Sequence, residues 1–98
     1  MDTKYEDIPL VQKEVINELT FPLTDVLSGR DKIQERLFAL HRATSLGNLS
    51  KHKVNIIFED EEGMKQVRTT IWAISDKKIV LKAGRTIPVS RIHEVVIG

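Results

Sequence analysis

The stretch "TIPVSRIHEVVI", Thr86 to Ile97, closes the chain with an apolar run, a break and a second apolar run. Pro88 has no backbone N–H to give to a sheet, so it belongs near the end of a strand. Ser90-Arg91-Ile92 reads as a one-turn interruption, after which "HEVVI" resumes as a last strand. A break of this kind redirects the chain, and the final strand then pairs away from its predecessor. That need, met in so few residues, points to a small curled arrangement of strands.

The residues before Thr86 extend this reading. In "KVNIIFED", Val54, Ile56 and Phe58 share one face while Asn55, Ile57 and Glu59 share the other. "KQVRTTIWAIS" alternates too, with Val67, Thr69, Ile71 and Ala73 opposite Arg68, Thr70, Trp72 and Ile74. Its "IWAI" is apolar on both faces and predicts cover on both sides. Trp72 is therefore expected in the core or beneath a helix. "EDEEG", "SDK" and "AGR" supply hairpin-length turns between these strands and "KIVLK" and "TIPV". Five short strands in an open sheet would expose their edges, so the expectation is a small closed barrel over residues 48–98.

The first half has a different period. Ile8, Val11, Val15 and Leu19 step by three or four, which predicts a helix over Pro9 to Thr20, stopped before Pro22. "PLTDVLSG" reads as a turn. From Arg30, Ile33, Leu37, Leu40 and Thr44 make one stripe with Phe38 beside it, and Gly47-Asn48 is the expected helix stop. These helices are expected to cap the barrel or cover "IWAI".

Ninety-eight residues make one domain, with 41% apolar and 30% charged residues, as in ordinary globular proteins. No apolar run approaches the roughly 18 residues of a membrane span. The acidic opening "MDTKYEDIPLVQ" is unlike a secretory signal, and cysteine is absent, so a cytoplasmic location is expected. Charge is uneven. Residues 1–29 hold six acids and two bases, a net −4, whereas residues 48–98 hold nine bases and six acids, a net +3.

No catalytic pattern emerges. His41, His52 and His93 form no H-x-H or H-x-x-x-H pair, so no local metal spacing exists. The acids of "FEDEEG" are consecutive and lack the alternation of a calcium loop, which makes them a solvated turn. No serine has a G-x-S-x-G setting, and no glycine-rich phosphate loop is present. The basic residues carry more. Lys77, Lys78, Lys82, Arg85 and Arg91 come from neighbouring hairpins and are expected on one rim, with Arg68, Lys51 and Lys53 extending it. Such a rim suits phosphates or an acidic partner, or else protects strand edges.

The run from Val54 to Ile97 resembles the small SH3-like and Sm-like barrels, which carry a one-turn element before their last strand. Within that group, "RTIPVSRIHEVVI" looks like the closing segment of WYL-type domains and of the Rho-binding antiterminator. The whole chain is also similar to small uncharacterised bacterial proteins of about this length. The resemblance implies a binding module: nucleic-acid or nucleotide sensing for WYL-type domains, RNA for Sm-like barrels, a protein for the antiterminator type. Arg91 sits where a WYL-type domain has its motif arginine.

The combined expectation is one α+β domain over residues 1–98, with N-terminal helices in 1–47 followed by a five-stranded antiparallel SH3-like barrel in 48–98. Its expected role is a non-enzymatic binding or regulatory module without cofactor, metal or membrane contact. A protein partner, including a second copy, is favoured over RNA or DNA.

Overall fold

The structure, a computed structural model, describes residues 5–98. Strand β2 (Val54–Asp60) pairs antiparallel with β3 (Gly63–Thr69) from Val54↔Thr69 to Asp60↔Gly63. The alternation read from the sequence sends Val54, Ile56 and Phe58 into the core. Asp60 organises the connecting turn. Its Oδ1 accepts the N–H of Glu62 at 3.0 Å and of Gly63 at 3.2 Å, and the ammonium of Lys65 at 2.7 Å. Glu61 and Glu62 are solvated, as expected of the acidic turn, but Asp60 is only 2% exposed.

Two further strands complete this sheet. β1 (Leu10–Val11) lies parallel to β3, and β7 (Ile92–Val96) lies antiparallel to β2, giving the order β1-β3-β2-β7. Ile57 is fully buried on the face away from the main core. There the segment from Tyr5 to Val11 crosses the sheet. Gln66, opposite Ile57, donates Nε2 to the carbonyls of Tyr5 at 3.0 Å and Ile8 at 2.9 Å. The Tyr5 hydroxyl donates to Glu94 on β7.

A second sheet contains β4 (Ile71–Ile74), β5 (Lys78–Leu81) and β6 (Thr86–Pro88) in that order. Ile71, Ile79, Leu81 and Ile87 turn inward to meet the first sheet's core residues. The interruption read at Ser90 is a 3-10 turn, Val89–Arg91, which carries the chain from β6 to β7.

The strands do not close into a barrel: they form two separate sheets. The reason lies at the seams. The single α-helix among the described residues, α1 (Arg30–Ser50), packs against β7 of one sheet and β4 of the other. A 3-10 helix, Lys13–Glu18, packs against β3 and β6. Side chains from these helices, Leu40, Ala43 and Ile16, occupy the space that closure would have needed.

The expected N-terminal helix over 9–20 is likewise corrected. Its first residues are drawn into β1, where Gln66 N–H donates to the Pro9 carbonyl at 2.9 Å. A six-residue 3-10 helix is what remains, and Ile16 is its buried residue. The α-helix stands in the middle of the chain instead.

Within α1, Leu40 and Thr44 are buried as expected, but Phe38 is 74% exposed. Gly47 is not the stop. The helix continues to Ser50 and ends at Lys51, a left-handed residue with φ 54°. Gly47 is instead a point of close approach: a Cβ there would lie 2.5 Å from the Ile71 carbonyl oxygen and 2.9 Å from Thr70 Cγ2. Backbone cannot yield as a side-chain tip can. Gly47→Ala should therefore destabilise the fold by about 2 kcal/mol through overpacking, although alanine is the better helix former. Urea denaturation checks this against Ser45→Ala on the exposed side of the same helix; equal stability of the two variants would refute it.

Candidate binding face

β5 is the central strand of the second sheet. Because Ile79 and Leu81 point inward, Lys78 and Val80 point out. Val80 lies opposite Ala73 on β4 and Thr86 on β6, and Lys78 lies opposite Pro88. Pairing shifts between Ile71 and Ala73. This bulge lets Ile71 and Ile74 both turn toward the core while Trp72 and Ala73 both face solvent. The outer cover predicted for "IWAI" is missing, and Trp72 is 48% exposed.

Lysines stand at both ends of β5. At one end, Ser75 Oγ accepts the N–H groups of Lys77 at 3.3 Å and Lys78 at 3.2 Å, which fixes the turn. At the other end, Lys82 N–H donates to the Thr70 carbonyl at 3.0 Å. Thr70 Oγ1 in turn donates to the Lys51 carbonyl at 3.4 Å, which ties the end of α1 to this corner. All four lysines are exposed. Both outer strands of the sheet have helical neighbours, α1 at β4 and the 3-10 helix at β6, and Trp72 and Ala73 are exposed on β4.

The remaining predicted residues lie elsewhere. Arg85 is half-buried and donates to the Ala83 carbonyl at 3.2 Å. It faces the 3-10 helix, where Glu14's carboxyl is held below its ordinary range mainly by Lys13, with a smaller contribution from Arg85. Arg68 is on the other sheet, donating to Asn55 Oδ1 at 2.8 Å. Arg91 is 5% exposed and donates to the carbonyls of Glu59 at 3.0 Å and Thr24 at 2.8 Å. Lys77 and Lys78 thus stand exposed at one end of β5 and Lys82 at the other, while the three arginines bond elsewhere.

Two structural charge clusters escaped the sequence reading. Arg36, 6% exposed, makes paired bonds of 2.8 Å to both oxygens of Asp25 and a third of 3.1 Å to the Ile92 carbonyl. Glu59 receives His93 Nε2 at 2.8 Å and has Arg91 Nη2 at 3.7 Å. His93 lines a cleft of about 610 Å³ with Lys32, Arg36 and Glu94. A second cleft, of about 550 Å³, contains Asn55, Gln66 and Arg68. His52 bonds the Gly98 carbonyl oxygen at 2.9 Å, and His41 is exposed. Among the described residues no group of three metal-ligating side chains assembles, and no helix is long and apolar enough to cross a membrane.

One signal for the exposed tryptophan was present in the sequence. Four apolar residues in a row, on a strand this short, invite a bulge that turns two in and two out. Arg36 had no such signal, because its acid lies across a loop. Comparison of the chain with known protein families, curated proteins and solved structures finds no match.

Two carboxylates, Asp25 and Asp60, make stability depend on acid. Arg36's guanidinium holds Asp25's carboxyl below its ordinary value near 3.8 despite partial burial, with help from the Leu27 N–H. Burial pushes Asp60's carboxyl up, but Lys65 and the turn N–H groups together outweigh it and hold it low. A carboxylate with a lowered folded pKa stabilises the fold above its unfolded pKa, and that contribution is lost as pH falls through the folded value. Unfolding free energy should stay level down to about pH 4 and fall below it. Asp25→Asn should cost on the order of 2 kcal/mol at neutral pH and flatten the acid limb. Urea titrations from neutral to acid pH check both, and an unchanged acid limb in the variant would refute the assignment.

Proposed function

We propose that this protein is a non-enzymatic binding module of the cytoplasm that engages a protein partner on the outer face of β4-β5-β6. The observation that carries the reading is Trp72, half-exposed on the outer side of a sheet whose central strand has exposed lysines at its two ends. Tryptophan is large and stiff, and it dominates protein interfaces where it can be desolvated. Its neighbours Ala73, Val80 and Pro88 add apolar area at the centre, with charge at the rim, which is the usual anatomy of an interface. Two copies meeting through this face would bring lysines against lysines, so the partner is a different, acidic surface.

The histidine cluster supports a structural role more than a catalytic one. Glu59, which accepts from His93, is also held by Arg91, a buried residue that ties down the loop at Thr24. Its charge is balanced inside the fold.

A second reading is single-stranded RNA or DNA, stacked on Trp72 with phosphates on the lysines. The exposed ring favours it. The positions of Arg68, Arg85 and Arg91 weigh against it, since half the expected basic rim lies off the face.

Trp72 is the chain's single tryptophan, so its emission reports directly on this face. A random displayed-peptide library should be selected on the wild-type protein and counter-selected on Trp72→Ala. Peptides joining Asp or Glu to Leu, Ile or Phe should emerge, shift Trp72 emission to the blue, and bind more weakly as salt rises. Failure to enrich peptides, together with salt-dependent quenching of Trp72 by oligo(dT) or oligo(U), would overturn the protein reading in favour of nucleic acid.

A further inference from the structure

We infer that the Trp72 face takes an extended acidic segment in which two carboxylates, about four residues apart, flank one apolar anchor. The inference rests on the reading of this face as protein-binding and specifies the chemistry of its occupant. It begins from what the sheet leaves open. α1 packs against β4 and the 3-10 helix against β6, and the side chains of the outer face would provide recognition.

The side chains are arranged along β5. Lys78 stands at one end of the strand and Lys82 just past the other. At a rise of roughly 3.3 Å per residue their Cα atoms are about 13 Å apart. Lys77 adjoins the first end in the Ser75 turn, and the backbone of Lys51 meets Thr70 beside the second. Between them lies an uncharged strip formed by Ala73, Val80 and Thr86 in register, with Trp72 raised beside it by the bulge. Asp76 is the one acid in the turn next to Lys77. The pattern along the strand is therefore cation, apolar platform, cation.

An extended peptide lying along β5 shares its rise. Positions i, i+2 and i+4 of such a peptide project from one side, so an acid, an anchor and an acid at those positions meet Lys78, the Trp72 platform and Lys82 together. A helical peptide rises about 1.5 Å per residue, so acids four apart would reach only one end; it would need its acids at i and i+8. The platform is three strands wide, roughly 10 Å, and each of its strands is short, which suits a single extended chain.

The test uses isothermal titration calorimetry with short tryptophan-free peptides, and Trp72 emission as a second readout wherever that residue is present. An acetylated Gly-Glu-Gly-Leu-Gly-Glu-Gly peptide is compared with an isomer carrying both Glu residues on one side of Leu, and with a helix-stabilised peptide whose acids are at i and i+8. The spaced extended peptide should bind about threefold tighter than its isomer, which keeps an ion pair at one end and loses the other. The exposed double variant Lys78→Glu/Lys82→Glu should lose that peptide and gain the Lys-for-Glu counterpart, whereas Trp72→Ala should bind neither. Circular dichroism confirms that each variant folds. Equal affinity for the two isomers, or a preference for the helical peptide, would overturn this inference while leaving the protein-binding reading intact. No binding by any peptide, including those from display selection, would overturn both.

Discussion

Everything in this fold depends on how closely α1 can approach β4. At Gly47 the helix meets the Ile71 carbonyl with no side chain between them, and a Cβ would lie 2.5 Å from that oxygen. The close crossing lets Leu40 and Ala43 reach the core, where they pack with strand residues of both sheets. One helix can then bridge the edge strands β4 and β7. Two short sheets that would otherwise have to close on each other are held together by apolar filling at their seams.

The opposite end of α1 is held by charge. Arg36 is buried, so its desolvation must be offset by well-placed acceptors, and Asp25 supplies two with parallel geometry. Arg91 plays the same part for Thr24. The long irregular segment between the 3-10 helix and α1 is thus pinned by two guanidinium groups, with Val26 N–H on the Ser90 carbonyl adding a backbone tie of 2.9 Å. Removing one partner of such a pair costs more than the pair itself contributes, because the other charge stays buried.

Closing the seams with helices also determines which surface is available. α1 lies along β4 but does not cover the sheet's outer face, so Trp72 remains in water where an apolar ring gains by finding a partner. The bulge at Trp72 has two consequences: it turns Ile71 and Ile74 toward the core, and it leaves the ring exposed on the outer side of the sheet. Stability and recognition are satisfied by the same local irregularity.

Local patterns carried the sequence reading where their rules are local. The period of two in Val54-Ile56-Phe58, the stripe through Leu40 and Thr44, the turns at "EDEEG" and "SDK", and the break at Ser90 are all present. What the sequence left undetermined involves partners distant along it. Ile8 to Leu19 has a helix's period, yet Gln66 claims the Tyr5, Ile8 and Pro9 carbonyls and makes part of it a strand. Gly47 has the chemistry of a helix stop, yet its missing side chain is used against Ile71. Arg91 looked like a surface cation, and only the carbonyls of Thr24 and Glu59 make it an interior one. Periodicity placed the turns and the inward-facing residues of β2, but not the exposure of Trp72 or the burial of Arg36 and Arg91; the tertiary structure alone decided those, because open sheets bridged by helices and a closed barrel satisfy the same alternation.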